Sequence, residues 1–227
     1  MFNRTTLGGF TPVLPLDYVF PPTSSPTTVR SKLVPPRTTI SLQGVSRRGT
    51  FRIIDGCIAL YQLLADGRRQ ILDILGPGRL LGTGITDRFQ CGAETLAFTH
   101  LEEIEPERSK EAADGQLELL LSRSLAHATL LGRKTAPEKI ATTLLDLAQQ
   151  FGRRSRSPAK QLLTFTLHLT RADLADWTGL TLETVSRHLN GFKRARLIDF
   201  KTPELITIRD RSALTAIAAG EAIPDNH

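Results

Sequence analysis

The most constraining feature of the sequence is a spacing of cap residues and glycine near the C-terminus. Thr170 is followed three residues later by Asp173, which is the arrangement of a capping box, so a short helix is predicted over 171–178. Gly179 then ends the helix, because glycine readily adopts a left-handed C-terminal cap. Thr181 can cap a second helix that reaches about Ala195. A helix, a tight glycine turn and a second helix together predict a helix-turn-helix unit.

The predicted second helix has two chemically different faces. Its apolar face carries Val185, Leu189 and Phe192, which are spaced to pack on the body of the protein. Its polar face carries Glu183, Ser186, Arg187, Asn190 and Arg194. Arg can donate to guanine, Glu can accept from cytosine and Ser can bond to either kind of base edge, so this face has the chemistry for contacting bases in the major groove. The alternative is a surface helix in which Glu183 and Arg187 form an incidental i,i+4 pair.

Two short β-type runs follow this helix. Residues 197–201 and 204–209 flank Thr202-Pro203 and predict a small hairpin, the wing of a winged helix-turn-helix. A larger β-type region lies earlier, from about Thr38 to Ile104, in short apolar runs separated by glycine. Asp66-Gly67 predicts a hairpin turn within it, because Gly tolerates the positive φ of such turns. The first residues, rich in Pro, Thr and Ser, predict an extended arm.

Two helices are predicted between the β-type region and the helix-turn-helix. Apolar residues in 116–133 fall at helical spacing, including Leu117, Leu121, Leu125, Ala128 and Leu131. This stripe can pack on the β domain or pair with the same helix of a second chain, and the pattern alone does not decide between the two. A second helix is predicted over 138–151, and the basic stretch 152–160 is predicted to be a loop.

Charge and composition narrow the function classes. From Arg133 onward there are 15 basic and 10 acidic residues, against 14 and 13 before it, so nearly all of the net +6 lies in the C-terminal part. No apolar run is long enough for a membrane span, and neither a secretory leader nor a cysteine framework is present, so a soluble, cytoplasmic protein is expected. No nucleophile–base pair or phosphate-binding glycine loop is visible, which argues against an enzyme.

Three segments in order resemble the Crp/Fnr superfamily of bacterial regulators. Residues 51–78 (FRIIDGCIALYQLLADGRRQILDILGPG) look like its β-roll, and residues 131–141 (LGRKTAPEKIA) look like the end of its dimerisation helix and the hinge. Residues 180–187 (LTLETVSR) are similar to the recognition helix of the Fnr/FixK branch. The implied fold is α+β, with an extended arm over 1–37, a β-roll resembling a cyclic-nucleotide-binding jelly roll over 38–110, a dimerisation helix over 111–135, and a winged helix-turn-helix over 136–227.

The resemblance also implies partners and residue roles. Regulators of this branch are homodimers that bind double-stranded DNA at a palindrome of the form TTGAT-N4-ATCAA and contact RNA polymerase, and FixK-like members are activators. Base contacts are expected from Glu183, Ser186 and Arg187. Contacts to the DNA backbone, which position the helix, are expected from Thr170, Arg171, Thr181, Thr184 and His188. The leucine stripe is expected to form the dimer interface.

Departures from the family pattern bear on what the protein senses. The stretches Gly82-Thr83 and Cys91-Gly92 lack the carboxylate and the arginine that cyclic-AMP binders use, and no cysteine precedes Cys57 to hold an iron–sulfur cluster. Cys57 is expected to be a buried apolar residue and Cys91 is a candidate oxidation site. His100, His127 and His168 share no ligand spacing for haem. We therefore expect no cofactor and no metal, and the alternative is a β-roll that gates DNA binding in response to a small molecule or haem.

Overall fold

The computed structural model describes residues 30–47, 49–83, 86–154 and 163–221, and its N-terminal part is a sandwich of two antiparallel sheets. The strands are β1 (Ser31–Val34), β2 (Thr39–Ser41), β3 (Thr50–Asp55), β4 (Ile58–Leu63), β5 (Arg69–Leu75), β6 (Leu80–Leu81), β7 (Gly92–Thr95) and β8 (Thr99–Ile104). One sheet has the order β1-β8-β3-β6, and the other has the order β2-β7-β4-β5. Between the sheets lies an apolar cluster that includes Ile53, Ile58 and Leu101.

The predicted hairpin is confirmed in this β-roll. β4 pairs with β5 from Ile58 opposite Leu75 to Leu63 opposite Arg69. Gly67 has a φ of +86°, which an L side chain rarely adopts, and its N–H donates to the Leu64 carbonyl. Asp66-Gly67 therefore closes the turn as the sequence predicts.

The β-roll begins earlier than the predicted boundary at residue 38. β1 pairs with β8, with Ser31 opposite Glu102 and Val34 opposite Thr99. Val34 is buried in the sandwich. Residues 31–34 thus form a strand of the β-roll, and Arg37 follows it with its N–H bonded to the Thr95 carbonyl. The sequence did not indicate this strand because its pairing partner lies more than sixty residues downstream. The first 29 residues of the predicted arm lie outside the described part of the chain.

A long helix leaves the β-roll and leads to the C-terminal domain. Helix α1 spans Pro106–Arg133, so it begins before the predicted residue 111 and ends slightly before the predicted 135. Helix α2 spans Ala136–Phe151 and starts with a capping box formed by Thr135 and Glu138. No helix in the described ranges is long and apolar enough to cross a bilayer.

The C-terminal domain combines the helix-turn-helix with a four-stranded sheet. Its helices are α3 (Arg171–Thr178), α4 (Leu182–Arg194) and α5 (Arg211–Ala218). Its strands are β9 (Gly152–Arg154), β10 (Leu163–Thr166), β11 (Ile198–Phe200) and β12 (Leu205–Ile208). They form one sheet with the order β11-β12-β10-β9. The β11–β12 hairpin is the predicted wing. The loop predicted over 152–160 was wrong at its start, because Gly152–Arg154 forms a strand paired with β10.

One apolar cluster runs through both halves of the molecule. It contains Ile71 and Ile74 of the β-roll, Trp177 of α3 and Phe192 of α4, all buried. The β-roll and the DNA-binding domain therefore share a continuous apolar core within one chain.

Candidate nucleic-acid interface

The start of each helix in the helix-turn-helix is set by the residues that the sequence singles out. The Asp173 N–H donates to Thr170 Oγ1 at 3.1 Å, and the Thr170 N–H donates to Asp173 Oδ2 at 2.9 Å. Gly179 ends α3 with a φ of +63°, in the left-handed region. The Thr184 N–H then donates to Thr181 Oγ1 at 3.2 Å and starts α4. Both helices begin and end within a residue or so of their predicted positions.

Helix α4 presents the predicted polar face to solvent. Val185, Leu189 and Phe192 are buried against the body. On the opposite side Glu183, Arg187, Asn190 and Arg194 are exposed and Ser186 is half-buried. Glu183 and Arg187, both within the described residues, form no ion pair with each other, so the incidental i,i+4 pair is absent. The charged groups of this face are open to an external partner.

The predicted backbone-contact residues surround this face, but they differ in how accessible they are. Thr170 and Thr181 are exposed and serve as helix caps, and Thr181 Oγ1 also donates to Thr184 Oγ1 at 2.9 Å. His188 is half-buried, and burial, together with the nearby Arg187, lowers its pKa. Histidine with a lowered pKa is neutral at pH 7 and can act there as a hydrogen-bond partner rather than as a cation.

Arg171 is held at the edge of the wing. Its guanidinium lies 5.5 Å from the centre of the Phe200 ring, and its buried Nη1 has no hydrogen-bond partner among the described residues. Lys193 Nζ stands over the same ring at 4.2 Å and donates to the Phe200 carbonyl at 2.7 Å. Phe200 thus connects the start of α3, the end of α4 and the wing. Sequence reasoning missed Phe200 and Lys193, although an aromatic residue beside basic residues was a visible signal.

The predicted dimer stripe on α1 is exposed in its middle and half-buried at its two ends. Leu121 and Leu125 are 61% and 62% exposed, and Ala128 is also exposed. Leu117 and Leu131 are half-buried, and Leu131 lies beside the turn at Gly179. Within the part of the chain that the structure describes, the middle of the stripe therefore has no apolar partner.

Comparison with known proteins identifies the family. Residues 138–217 match the Crp-like helix-turn-helix domain. The chain is 34% identical over 172 residues to the nitrogen fixation regulation protein FixK of Azorhizobium caulinodans, covering 71% of this chain and 68% of that protein. It is 32% identical over 181 residues to FixK of Rhizobium meliloti, covering 78% of this chain and 82% of that protein.

The chain belongs to the Crp/Fnr family of transcription regulators, in its FixK/Fnr-like branch. The solved structure of FixK2 from Bradyrhizobium japonicum superimposes with a TM-score of 0.76 at 26% identity, covering 86% of this chain and all of that one. A regulator of the CRP family from Thermus thermophilus gives a TM-score of 0.69 at 25% identity, covering 86% of this chain and all of that one. These relatives confirm the α+β fold expected from the sequence.

The two cysteines of this Crp/Fnr regulator lie in surroundings that raise the pKa of their thiols. Cys57 is fully buried, as expected, and burial raises the pKa of its thiol far above the ordinary range. Burial, followed by the charge of Asp73, raises the pKa of Cys91 to about 11. The thiolate is the reactive form, so this raised pKa does not favour oxidation of Cys91, and oxidation at Cys91 stays a prediction. No three His, Cys, Asp or Glu side chains converge to hold a metal ion among the residues that the structure describes.

Proposed function

We propose that this Crp/Fnr regulator binds a palindromic site of the form TTGAT-N4-ATCAA as a homodimer and activates transcription there. The observation that carries the proposal is the exposed face of α4, on which Glu183 and Arg187 are free of each other while Val185 and Leu189 anchor the helix. Ser186 completes a set of side chains that can bond to base edges in the major groove.

The flanks of this face suit phosphate contacts. Arg171 lies half-buried against Phe200 at the edge of the wing, and in this proposal its guanidinium donates to a phosphate oxygen. Thr170 and Thr181 lie exposed at the starts of α3 and α4, where backbone N–H groups favour anions. In this proposal Thr184 and His188 complete the backbone contacts, which position α4 without specifying sequence.

The dimer is formed along α1, with Leu121, Leu125 and Ala128 of one protomer against the same residues of its partner and with Leu117 and Leu131 at the edges. Two-fold symmetry of the protein matches the two-fold symmetry of the DNA site. Activation requires contact with RNA polymerase in the cytoplasm. The chain is similar to FixK proteins, which are named as regulators of nitrogen fixation. This similarity supports a regulatory role of the FixK kind for this protein.

The proposal includes function without cyclic nucleotide, iron–sulfur cluster or metal. Purified protein with no added ligand should bind a labelled TTGAT-N4-ATCAA duplex in a fluorescence anisotropy titration, and a duplex with both half-sites scrambled should bind far more weakly. Specific sites of such regulators are bound at least about a thousandfold more tightly than random DNA. Equal affinity for the two duplexes would refute the palindrome, and binding only after haem or another small molecule is added would refute ligand-free action.

A further inference from the structure

A cluster of ion pairs joins the β-roll to the first helix of the helix-turn-helix. Arg37 Nη1 and Nη2 donate to Asp173 Oδ1 and Oδ2 at 3.0 and 2.6 Å, in a bidentate arrangement. Arg69 Nη2 donates to the same carboxylate at 2.5 Å, and its Nε donates to Asp176 Oδ2 at 2.9 Å. We call Arg37, Arg69, Asp173 and Asp176 the clamp. Glu94 holds Arg69 from the β-roll side at 3.0 Å.

Asp173 is the centre of the clamp. Its side chain is only 2% exposed, and it also completes the capping box with Thr170. Burial by itself would raise the pKa of Asp173, but hydrogen bonds from Arg37 and Thr170 hold that pKa well below its usual range. One buried carboxylate therefore both starts α3 and binds two arginines of the β-roll. Such a charge is tolerated in a buried position only while its partners stay in place.

The backbone at Arg37 is shaped to deliver its side chain to this site. Arg37 has a φ of +59°, a left-handed conformation that is unfavourable for a non-glycine residue. The surrounding loop keeps it there: the Arg37 N–H donates to the Thr95 carbonyl at 2.7 Å, and the Thr38 N–H donates to Thr95 Oγ1 at 2.9 Å. Strain of this kind persists where neighbouring structure enforces it, often at functional positions.

Further contacts fix the same two bodies against each other. Gln70 Nε2 donates to the carbonyl of Asp176 at 2.7 Å, and the Gly76 N–H donates to Gln150 Oε1 of α2 at 3.1 Å. In addition, Arg123 of α1 forms ion pairs with Asp146 of α2 at 2.7 Å and with Asp73 of β5. The C-terminal domain is therefore held at α2 and α3 together.

None of these contacts covers the face that would meet DNA. Glu183, Arg187 and Asn190 remain exposed on α4 while the clamp is closed. Helix α4 in turn packs on α3 within the shared apolar core, so the direction of α3 sets the direction of α4. The contact is thus one that a DNA-bound regulator can keep.

We propose that Arg37 and Arg69 are positioning residues that hold the helix-turn-helix in its DNA-binding orientation through Asp173 and Asp176, in place of a bound effector. The proposal rests on the proposed function. The clamp lowers the cost of DNA binding because the competent orientation is already the populated one. The apparent dissociation constant rises in inverse proportion to the fraction of molecules in that orientation.

The test compares the full-length variant Arg37→Gln/Arg69→Gln with the control Arg68→Gln. Arg68 is adjacent and also basic, but it is exposed and bonds to the nearby Asp66. Without added ligand, we expect the double variant to bind the palindrome about tenfold more weakly or worse, which corresponds to a competent fraction near one tenth. Hydrogen exchange should accelerate in 171–178 and 69–75 and stay unchanged in 50–55. The control should match the wild type in both measurements.

Three results would overturn the proposal: unchanged affinity despite faster exchange at the clamp, tighter binding, which would mean that the contact is inhibitory, or no change in either measurement. If the double variant does not fold, Asp176→Ala tests the same point. It removes one arm of the clamp and leaves the cap of α3 intact. We therefore expect a smaller loss of DNA affinity and faster hydrogen exchange near the clamp. Wild-type behaviour in both measurements would count against the clamp. If the wild type itself binds no palindrome, the proposed function fails. Exchange then still shows whether the clamp holds α3.

Discussion

At the scale of single residues, we expect the proposed DNA-facing side chains to divide into those that contact bases and those that position the helix. Arg187 is exposed on the outer face of α4, whereas Arg171 lies against Phe200 at the wing. A bidentate arginine–guanine contact discriminates between bases, and a phosphate contact does not. The two arginines should therefore fail in different ways when they are truncated.

Arg187→Ala should lose about 1–3 kcal/mol of binding and lose discrimination at one base position of each half-site. Arg171→Ala is the matched variant, and it should weaken binding to all sequences alike and reduce the salt dependence. Anisotropy titrations on the palindrome, on single-base variants of it and on random DNA separate the two. Equal losses on palindromic and random DNA for Arg187→Ala would contradict its assignment to base contacts.

We expect His127 to make the free energy of unfolding depend on pH. It lies on α1, with its ring 6.4 Å from that of Trp177. Burial lowers the pKa of His127 and outweighs Asp73 and the Ile71 carbonyl, which raise it; Arg123 and Lys139 lower it further. Histidine in the unfolded chain has a pKa near 6.5, so near and below this pH the unfolded chain binds more protons at His127 than the folded chain does.

The free energy of unfolding should consequently fall as the pH drops below about 6.5. Urea unfolding at pH 7.5 and at pH 5.5 measures this difference. His127→Gln should show a smaller fall than the wild type, and part of the fall should remain, because burial also lowers the pKa of His168. A variant that loses as much stability as the wild type between the two pH values would show that His127 makes no contribution.

At the scale of elements, local signals were sufficient where a helix begins or ends on its own cap. The bounds of α3 and α4 follow from Thr170, Gly179 and Thr181, and each of these residues acts within a few positions of itself. The strands β1 and β9 were missed, because each is defined by pairing with a partner strand rather than by its own composition. Tertiary pairing overrides local propensity at such positions.

The turn at Gly179 offers a direct test of the element scale. Gly179→Ala should destabilise the protein by about 1–2 kcal/mol, since alanine must adopt a left-handed φ there. Its added Cβ would also stand 3.2 Å from Leu131 Cδ2. Gly191→Ala is the matched change within α4, where nothing lies within 4 Å of an added Cβ.

Gly191→Ala should raise the free energy of unfolding by up to about 1 kcal/mol, because alanine favours the helix interior. Urea denaturation of both variants gives the comparison. If the two substitutions shift the unfolding midpoint in the same direction, the left-handed cap does not control the end of α3.

The candidate site shows the same division between local and distant information. The polar face of α4 followed from helical spacing, since residues three and four apart share a face. The clamp could not be predicted, because Arg37 and Asp173 are 136 positions apart and only the folded chain brings them together. The predicted boundary between arm and β-roll even left Arg37 in the arm.

At the scale of the whole molecule, we expect the exposed stripe of α1 to form the dimer interface. Leu121→Glu combined with Leu125→Glu places charge where a second protomer would bury apolar surface, at a cost of about 2 kcal/mol or more for each leucine. Sedimentation equilibrium should show the variant as a monomer at micromolar concentration and the wild type as a dimer. Binding to the palindrome should fall with it.

The control for this prediction is Leu42→Glu, which introduces the same charge at a leucine that is 53% exposed and lies between β2 and β3. It should leave the dimer intact. A wild type that sediments as a monomer, or a double variant that remains a dimer, would place the interface elsewhere on the molecule.

The apolar core that continues from Ile71 into Trp177 and Phe192 limits how this chain can be divided for laboratory work. A fragment starting near Thr135 would retain the recognition helix but expose to water the side of Trp177 that the β-roll now covers. Exposed apolar surface of this kind promotes aggregation. The C-terminal fragment should therefore aggregate unless that surface is first made polar by substitution. Experiments on this regulator are best done with the full-length chain.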